Sequence, residues 1–360
     1  MRAMILKEFR ELVRDHRTLA MLIVLPLLLL VIFGYAANFT VDDARTTVVG
    51  PQAEQVEGQL PDLFDVTSVD PDADRGDAEQ TLQDNRADVA IVTGAAPVAL
   101  VDGSNLFAAQ AAVSALNALN AQSAGASGPT IEIDVLYNPD LKTSWVMVPA
   151  IIGLILTFIG VIITSIGLVR EREAGTLEQL SVMPIKPSTV ILGKITPYFL
   201  VAAIDMVVVT LLGVFLFDVP FRGNPFAFGL GAAIFLFVVL GFGVLISTIS
   251  QTTGQAIQAA FMVLLPQILL SGMIFPLEAM GAGVRWIGYL LPLTYFTIMS
   301  QGILLRGASI GSLWYTYVIL AVMAVVVFTA ATLRYRRDLA PSGRRRRRAA
   351  PASHDAEEQR

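Results

Sequence analysis

The chain has 360 residues, of which 54% are apolar and 15% charged, and its mean hydropathy is +0.64. Soluble domains carry about 25% charged residues, so these proportions place it among integral membrane proteins. The absence of cysteine excludes disulfides, thiolate nucleophiles and cysteine zinc sites, and the two histidines, His16 and His354, stand at opposite ends of the sequence in charged surroundings. The formal net charge of −5 conceals a strong segregation of charge along the chain.

Residues 1–18 place Ile5, Phe9, Leu12 and Val13 on one face and Lys7, Arg10, Glu11 and Arg14 elsewhere, which predicts an amphipathic interfacial helix. A spanning helix needs about 20 mostly apolar residues, and the first such run is 19–37, "LAMLIVLPLLLLVIFGYAA". A cleaved signal peptide is the alternative, since "YAA" resembles a weak cleavage site. Glu8, Glu11 and Asp15 ahead of the run, and its length, favour an uncleaved anchor.

Residues 38–144 follow, with seventeen acidic residues against four basic ones. Short β-rich runs at 46–50, 87–94, 97–103 and 131–137 alternate with helical candidates at 78–85 and 105–121, a pattern that predicts a small α/β domain. Its acidity is read as a solvated surface. "DPDADRGD" at 70–77 lacks the closing glutamate of a calcium loop.

Five further apolar runs, 145–169, 190–217, 226–249, 256–275 and 313–333, complete six predicted spans. Residues 276–311 hold a shorter apolar patch broken by Pro292. Backbone at membrane depth must satisfy its own polar groups, so this stretch is expected to form a re-entrant or interfacial helical pair buried against protein. The expected fold is thus a mainly α membrane protein with six transmembrane helices and a small α/β domain inserted between the first and second.

Lysine and arginine set the orientation. Five lie in residues 1–18, four in 170–194 (Arg170, Arg172, Lys186, Lys194) and nine after Leu333, including "RRRRR" at 344–348. Six spans put these three regions on one side with the loop 250–255, and leave Arg222, Arg285, Arg306 and the basic residues of 38–144 on the other. The positive-inside rule then makes both termini and the 170–189 segment cytoplasmic and the 38–144 domain extracytoplasmic, in a cell membrane. Residues 334–360 read as a disordered basic tail, its arginines anchoring beside an anionic leaflet.

The 170–189 segment is the most informative stretch. Thr176 and Gln179 have capping-box spacing. Leu177, Leu180 and Met183 share a face, Glu171, Arg172, Glu173 and Glu178 keep the other polar, and Pro184 and Pro187 end the helix. A short capped cytoplasmic helix with one apolar edge suits a groove on another protein; it equally suits a connector lying among lipid headgroups. Within the spans, Asp205 is the one acidic residue near the middle of a helix, and a costly intramembrane carboxylate marks a functional position by default. A structural bond to a neighbouring helix is the plainer reading. Lys194, 11 residues away, is too distant to pair with it within one helix. Gln255, Gln258 and Gln267 read as interhelical contacts. Glu278 and Arg285 lie near the interrupted patch, where either a gate or a solvated surface accounts for them.

No G-x-x-x-x-G-K-[ST] occurs: the "GK" at 193–194 has Ser188 five residues ahead of Gly193 and Ile195 after it. The chain by itself is therefore not expected to hydrolyse ATP or to bind a cofactor, and transport would draw on an ion gradient or on a partner.

"EREAGTLEQLSVMPIKPSTVILGKITPY", from residue 171, resembles the signature region of the ABC-2 type transporter permeases, the membrane subunits of type V ABC exporters. "HRTLAMLIVLPLLLLVIFGYA" resembles that family's first span, and "YNPDLKTSWVMVPAIIG" resembles its return into the second. "GVFLFDVPFRGN", "STISQTTGQAIQ", "SGMIFPLEAM" and "LLPLTYFTIMSQGILLRG" resemble its later blocks, in order, so the resemblance covers most of 1–36 and 137–335. It implies a dimer of six-span permeases, homomeric or heteromeric, bound to two ATP-binding subunits that carry ATP and magnesium. It implies export of a hydrophobic or amphipathic substrate such as a drug, antibiotic or lipid. It also implies that Glu171, Arg172, Glu173, Gly175, Thr176, Leu177, Glu178, Gln179, Leu180 and Met183 belong to the coupling helix that docks on the ATPase, with residues 1–18 beside that contact. Asp205 and Glu278 are then candidates for the pathway or its gate. Membrane lipid is an expected partner and nucleic acid is not.

Two other classes compete. An ion-coupled secondary transporter should show several paired ionisable residues at mid-membrane and an internal repeat; this chain offers Asp205 and no visible repeat. A receptor using the 38–144 domain would not require the capped helix. The expected topology has a direct test: Ser68→Cys and Ser181→Cys, each placed singly, should react with an impermeant thiol reagent from opposite sides of the membrane. Labelling of both in intact cells would overturn it.

Overall fold

A computed structural model of the chain describes residues 43–124, 130–174, 187–277 and 279–339. The predicted interfacial helix and first span, most of the 170–189 segment, Glu278 and the basic tail lie outside the described residues.

The first described part is a five-stranded sheet. Its elements are β1 (Ala44–Val49), α1 (Ala53–Glu57), β2 (Phe64–Asp70), α2 (Arg75–Gln83), β3 (Val89–Val92), β4 (Val98–Asp102), α3 (Leu106–Ala124) and β5 (Glu132–Leu136). The strand order is β2-β1-β3-β4-β5, with β3 and β4 antiparallel and the other neighbours parallel. Alternation along the strands sorts side chains to two faces. Val89, Ile91, Ala99 and Val101 pack with Ala109, Ala112 and Leu116 of α3, while Ala90 and Leu100 pack with Ala78 and Leu82 of α2. The acidic stretch before α2 is a helix start: the Asp74 carboxylate accepts hydrogen bonds from the amides of Gly76 and Asp77, and Asp77 accepts one from the Asp74 amide. That reciprocal arrangement satisfies orphan donors of the first turn. The sequence reading included neither α1 nor β2.

The helical part comprises α4 (Thr143–Glu173), α5 (Pro187–Phe217), α6 (Pro225–Ile249), α7 (Thr253–Leu270), α8 (Ala282–Gly288), α9 (Pro292–Gln301), a π-helical turn (Gly302–Arg306) and α10 (Trp314–Leu339). Among the described residues five helices, α4, α5, α6, α7 and α10, are long and apolar enough to cross a membrane. The helix expected at 256–275 begins and ends earlier, because Gly272 takes a left-handed conformation (φ 83°) just after Leu270. Phe275 turns instead into a small core with Leu277, Met280 and Val284. The interrupted patch forms two short helices, and α9 is buried along most of its length.

Helix α6 is the hub. Phe235 and Phe228 meet Phe296 of α9, with ring centroids 4.5 and 6.2 Å apart, and the Tyr317 hydroxyl of α10 donates to the Ala227 carbonyl. Helices α4 and α6 approach through glycine. A Cβ on Gly160 would stand 2.8 Å from Val239 Cγ1, and one on Gly243 would stand 2.7 Å from Thr164 Cβ. Such close approach lets dispersion and Cα–H contacts hold helices where lipid offers no hydrophobic drive. Around Pro149, which cannot donate within α4, Gln301 Nε2 donates to the Val146 carbonyl (3.0 Å) and Ser300 Oγ to the Pro149 carbonyl (3.3 Å). Helix α5, by contrast, leaves Leu200, Ile204, Phe215 and Leu216 exposed.

Sheet and bundle join at Arg306. It is 5% exposed and its Nη1 donates to Asn85 Oδ1 (3.2 Å), Asp102 Oδ2 (3.3 Å) and Ser104 Oγ (3.0 Å), while its carbonyl accepts from Gln83 Nε2. Asn85 presents its side chain from a left-handed turn (φ 59°) after α2, a conformation asparagine tolerates better than most residues. Burial pushes the Asp102 carboxyl above the usual carboxylate range, and the Arg306 guanidinium opposes that shift without cancelling it. Arg222 braces the same turn, donating from its amide to the Leu304 carbonyl and from Nη1 to the Leu305 carbonyl. Beside it the Tyr137 phenol is pushed up to about 12, first by burial and then by the Asp102 charge.

The α4–α6 contact predicts the effect of added volume. Gly243→Val should lower the thermal midpoint of the purified protein, since overpacking costs about 1–3 kcal/mol. Gly229→Ala, at a position with open space around its Cβ, should leave it nearly unchanged. Equal midpoints for the two variants would contradict this packing.

Candidate functional site

The candidate site begins where α4 runs out of apolar residues. Its last turn carries Arg170, Glu171, Arg172 and Glu173, and its first carbonyl cap is the Ala174 amide, which donates to the carbonyls of Arg170 and Arg172. Cations at a helix C-terminus are favoured by its dipole, so the basic residues suit their place in α4. Two of these side chains, however, serve other helices.

Arg172 reaches the C-terminal end of α6, where Nη1 donates to the carbonyls of Ser247 (2.8 Å) and Ser250 (2.7 Å). The last carbonyls of a helix have no intrahelical donors, and a guanidinium supplies charge-assisted bonds together with dipole compensation. Glu173 takes the N-terminal end of α7. Its Oε1 accepts from the Thr253 amide (2.9 Å) and its Oε2 from the Thr253 hydroxyl (3.1 Å). A carboxylate at a helix N-terminus is the matching half of the same electrostatic rule. Consecutive residues of α4 thus hold both sides of the tight α6–α7 turn, a cation on the negative end and an anion on the positive end. The turn also secures itself: Thr252 Oγ1 accepts from the Gln255 amide, and Gln255 Oε1 accepts from the Gln251 amide. Gln255 is therefore occupied by its own helix start rather than by a contact between spans.

Of the coupling residues expected from sequence, Glu171, Arg172 and Glu173 are described, and the structure brings the last two against the α6–α7 turn. Gly175, Thr176, Leu177, Glu178, Gln179, Leu180 and Met183 lie outside the described residues, as does Glu278. Asp205 stands on α5, half-buried, and its Oδ2 is enclosed without a hydrogen-bond partner among the described residues. Nothing described brings Asp205 together with Arg172 or Glu173.

The T-x-x-Q spacing of Thr252–Gln255, the same signature that marks Thr176–Gln179, is a signal that the sequence reading passed over. A second overlooked spacing is G-x-S-x-G at 307–311. It lies in the loop between the π-helical turn and α10, not between strand and helix, and Ser309 Oγ accepts from the Ser312 amide. That is a turn, without the geometry of a hydrolase nucleophile.

Among the described residues, five helices long and apolar enough to cross a membrane, with a sheet domain fastened to them, define a multi-pass membrane protein. Comparison with known proteins specifies the class. The sequence profile described as ABC-2 family transporter protein matches residues 16–333, and the chain belongs to this family. It is 29% identical over 358 residues to the probable multidrug ABC transporter permease YbhR of Escherichia coli (strain K12), covering 93% of this chain and 97% of that protein. It is 30% identical over 341 residues to the probable multidrug ABC transporter permease YbhS of the same strain, covering 85% and 88%. ABC transporter G family member 20 of Dictyostelium discoideum is 26% identical over 204 residues, covering 56% of this chain and 28% of that protein. Membership in the family implies an ATP-binding partner subunit.

The two halves of the clamp should differ in stability. Arg172→Ala removes two charge-assisted bonds of about 1.5–3 kcal/mol each at most, whereas Glu173→Ala removes a helix cap worth about 1 kcal/mol. In differential scanning of the purified chain, Arg172→Ala should therefore lower the midpoint more than Glu173→Ala. The reverse order, or no change from either, would show that the clamp is not an anchor.

Proposed function

We propose that this chain is the membrane-spanning subunit of an ATP-driven exporter, and that residues 170–189 pass the work of separate ATP-binding subunits into its helices. The observation that carries this reading is the clamp of Arg172 and Glu173 on the α6–α7 turn. The proposed coupling segment follows α4 directly at this clamp. A push on the segment therefore reaches α4, α6 and α7 together rather than one helix alone.

In this reading Leu177, Leu180 and Met183 form the edge that enters a groove on the ATPase, with Thr176 capping the helix that presents them. Glu171, Gly175, Glu178 and Gln179 shape its polar side. ATP and magnesium are bound by two partner subunits, and this chain contributes neither phosphate ligands nor hydrolysis. A second permease chain completes the pathway, both termini are cytoplasmic, and the sheet domain stands outside. Asp205 and Glu278 are the candidates for pathway or gate. The enclosed, unpartnered Oδ2 of Asp205 supports a position awaiting a partner from a neighbouring helix or from cargo. The relatives named as probable multidrug permeases support a hydrophobic or amphipathic substrate.

The test separates hydrolysis from transport. Truncating well-buried interface leucines costs on the order of a few kcal/mol. Leu177→Ala/Leu180→Ala, co-expressed with the cognate ATP-binding subunit, should thus reduce its co-purification or abolish substrate-stimulated hydrolysis and export. Insertion and folding of the helices should persist. Thr176→Ala should act in the same direction by about 1 kcal/mol. A double variant that binds, hydrolyses and exports like the parent would make the segment a connector and refute the proposal.

A further inference from the structure

The three tryptophans of the chain, Trp145, Trp286 and Trp314, all stand at the end of the bundle that carries the sheet domain. Trp145 lies in the first turn of α4, which follows the last strand of the sheet, and Trp314 opens α10 shortly after the Arg306 contact. Helix α7 starts at Glu173, the far end of α4, so it returns toward the sheet domain. Helix α8, with Trp286, packs on its last turn.

Helix α8 has two unlike faces. Val284 and Ile287 pack with Leu269, Leu270 and Phe275. Trp286, Tyr289 and Leu290, spaced as neighbours on one helical face, are 57%, 46% and 59% exposed. The sheet domain shows what this chain otherwise leaves open: among its described residues no large apolar side chain is exposed. The apolar face of α8 therefore meets a different surrounding.

The same change of surrounding recurs at neighbouring helix ends. Phe217 ends α5 beside Asp218, Phe226 follows Asn224 at the start of α6, and Trp314 follows Ser312 at the start of α10, each ring exposed. Beyond Trp314, the exposed Val318, Val322 and Val325 continue one stripe along α10. Tryptophan and tyrosine at the head of an apolar stripe, next to polar residues, mark a membrane–water boundary. A second copy of the chain suits these positions less well. A two-fold contact uses one self-complementary patch, whereas the exposed rings are spread over α5, α6, α8 and α10.

We infer that α8 lies in the membrane–water interface on the sheet-domain side, with Trp286, Tyr289 and Leu290 seated among phospholipid headgroups and upper acyl chains. It is an anchor that fixes the depth of the end of α7, and it neither re-enters the bilayer core nor faces water. The inference rests on the membrane class of the chain and not on its coupling to ATP.

The probe is dibrominated phosphatidylcholine, with bromine either high on one acyl chain or near its terminus. Trp145→Phe/Trp314→Phe leaves Trp286 as the sole tryptophan of the full chain, reconstituted in nanodiscs of either lipid. Bromine high on the chain should quench its fluorescence at least about two-fold more than terminal bromine, as a ring ~5–10 Å into the headgroup–acyl boundary implies. Iodide added to the water should quench it weakly. If the double variant does not fold, the parent compared with Trp286→Phe yields the same quantity by difference. Stronger quenching by terminal bromine would make α8 re-entrant, quenching by iodide without quenching by lipid would place its face in water, and protection from both would mean that protein covers it. Each of these three results overturns the inference.

Discussion

The buried pair of Arg306 and Asp102 is the contact on which the arrangement of sheet and bundle depends. Neither group is exposed by more than a few per cent, and two charges withdrawn from water are tolerated only when geometry and further bonds compensate them. Here Asn85, Ser104 and the Ser104 amide complete the shell. Removing one partner would strand the other, a loss far greater than the net worth of the pair. The pair therefore acts as a specification: of the ways to rest a small acidic domain on an apolar bundle, this one satisfies Arg306.

At the far end of α4 the same principle operates with partial charges. Arg172 and Glu173 place full charges on the ends of two helix dipoles, so the α6–α7 turn is held by side-chain hydrogen bonds from the end of α4. Such a joint is firm along the helix axes and yields when either charge is displaced.

Much of the architecture is legible in the sequence because the bilayer imposes it. A run of about 20 apolar residues has few alternatives to a spanning helix, and α4, α5, α6 and α10 lie close to their predicted limits. What escapes is local backbone and distant partnership. The end of α7 at Leu270 depends on the left-handed Gly272, while hydropathy continues unbroken through Phe275. Strand β2, "FDVTSVD", sits at the sheet edge with acids facing outward, so it lacks the apolar alternation that marks β3 and β4. Arg306 reads as one more charge on an outer loop, because its partner Asp102 is 204 residues away and no spacing rule connects them. Arg172 and Glu173 are visible as charged residues of the right segment, but the turn they grip is not.

Helix α4 links two distant places: Val146 and Met147 near its start line a cavity of about 430 Å³ beneath the sheet domain, and Arg172 and Glu173 end it. A rod of 31 residues is about 46 Å long, so a tilt of ~5° about one end sweeps the other through ~4 Å. Mechanically it is a lever, with the lever's exchange of small angle for long throw. Pro149 sits close to its first turn, where the backbone ladder is interrupted, and Gln301 and Ser300 of α9 donate to the nearby carbonyls of Val146 and Pro149. The long arm of α4 lies on the Arg172 and Glu173 side of Pro149, and the short arm carries Val146 and Met147.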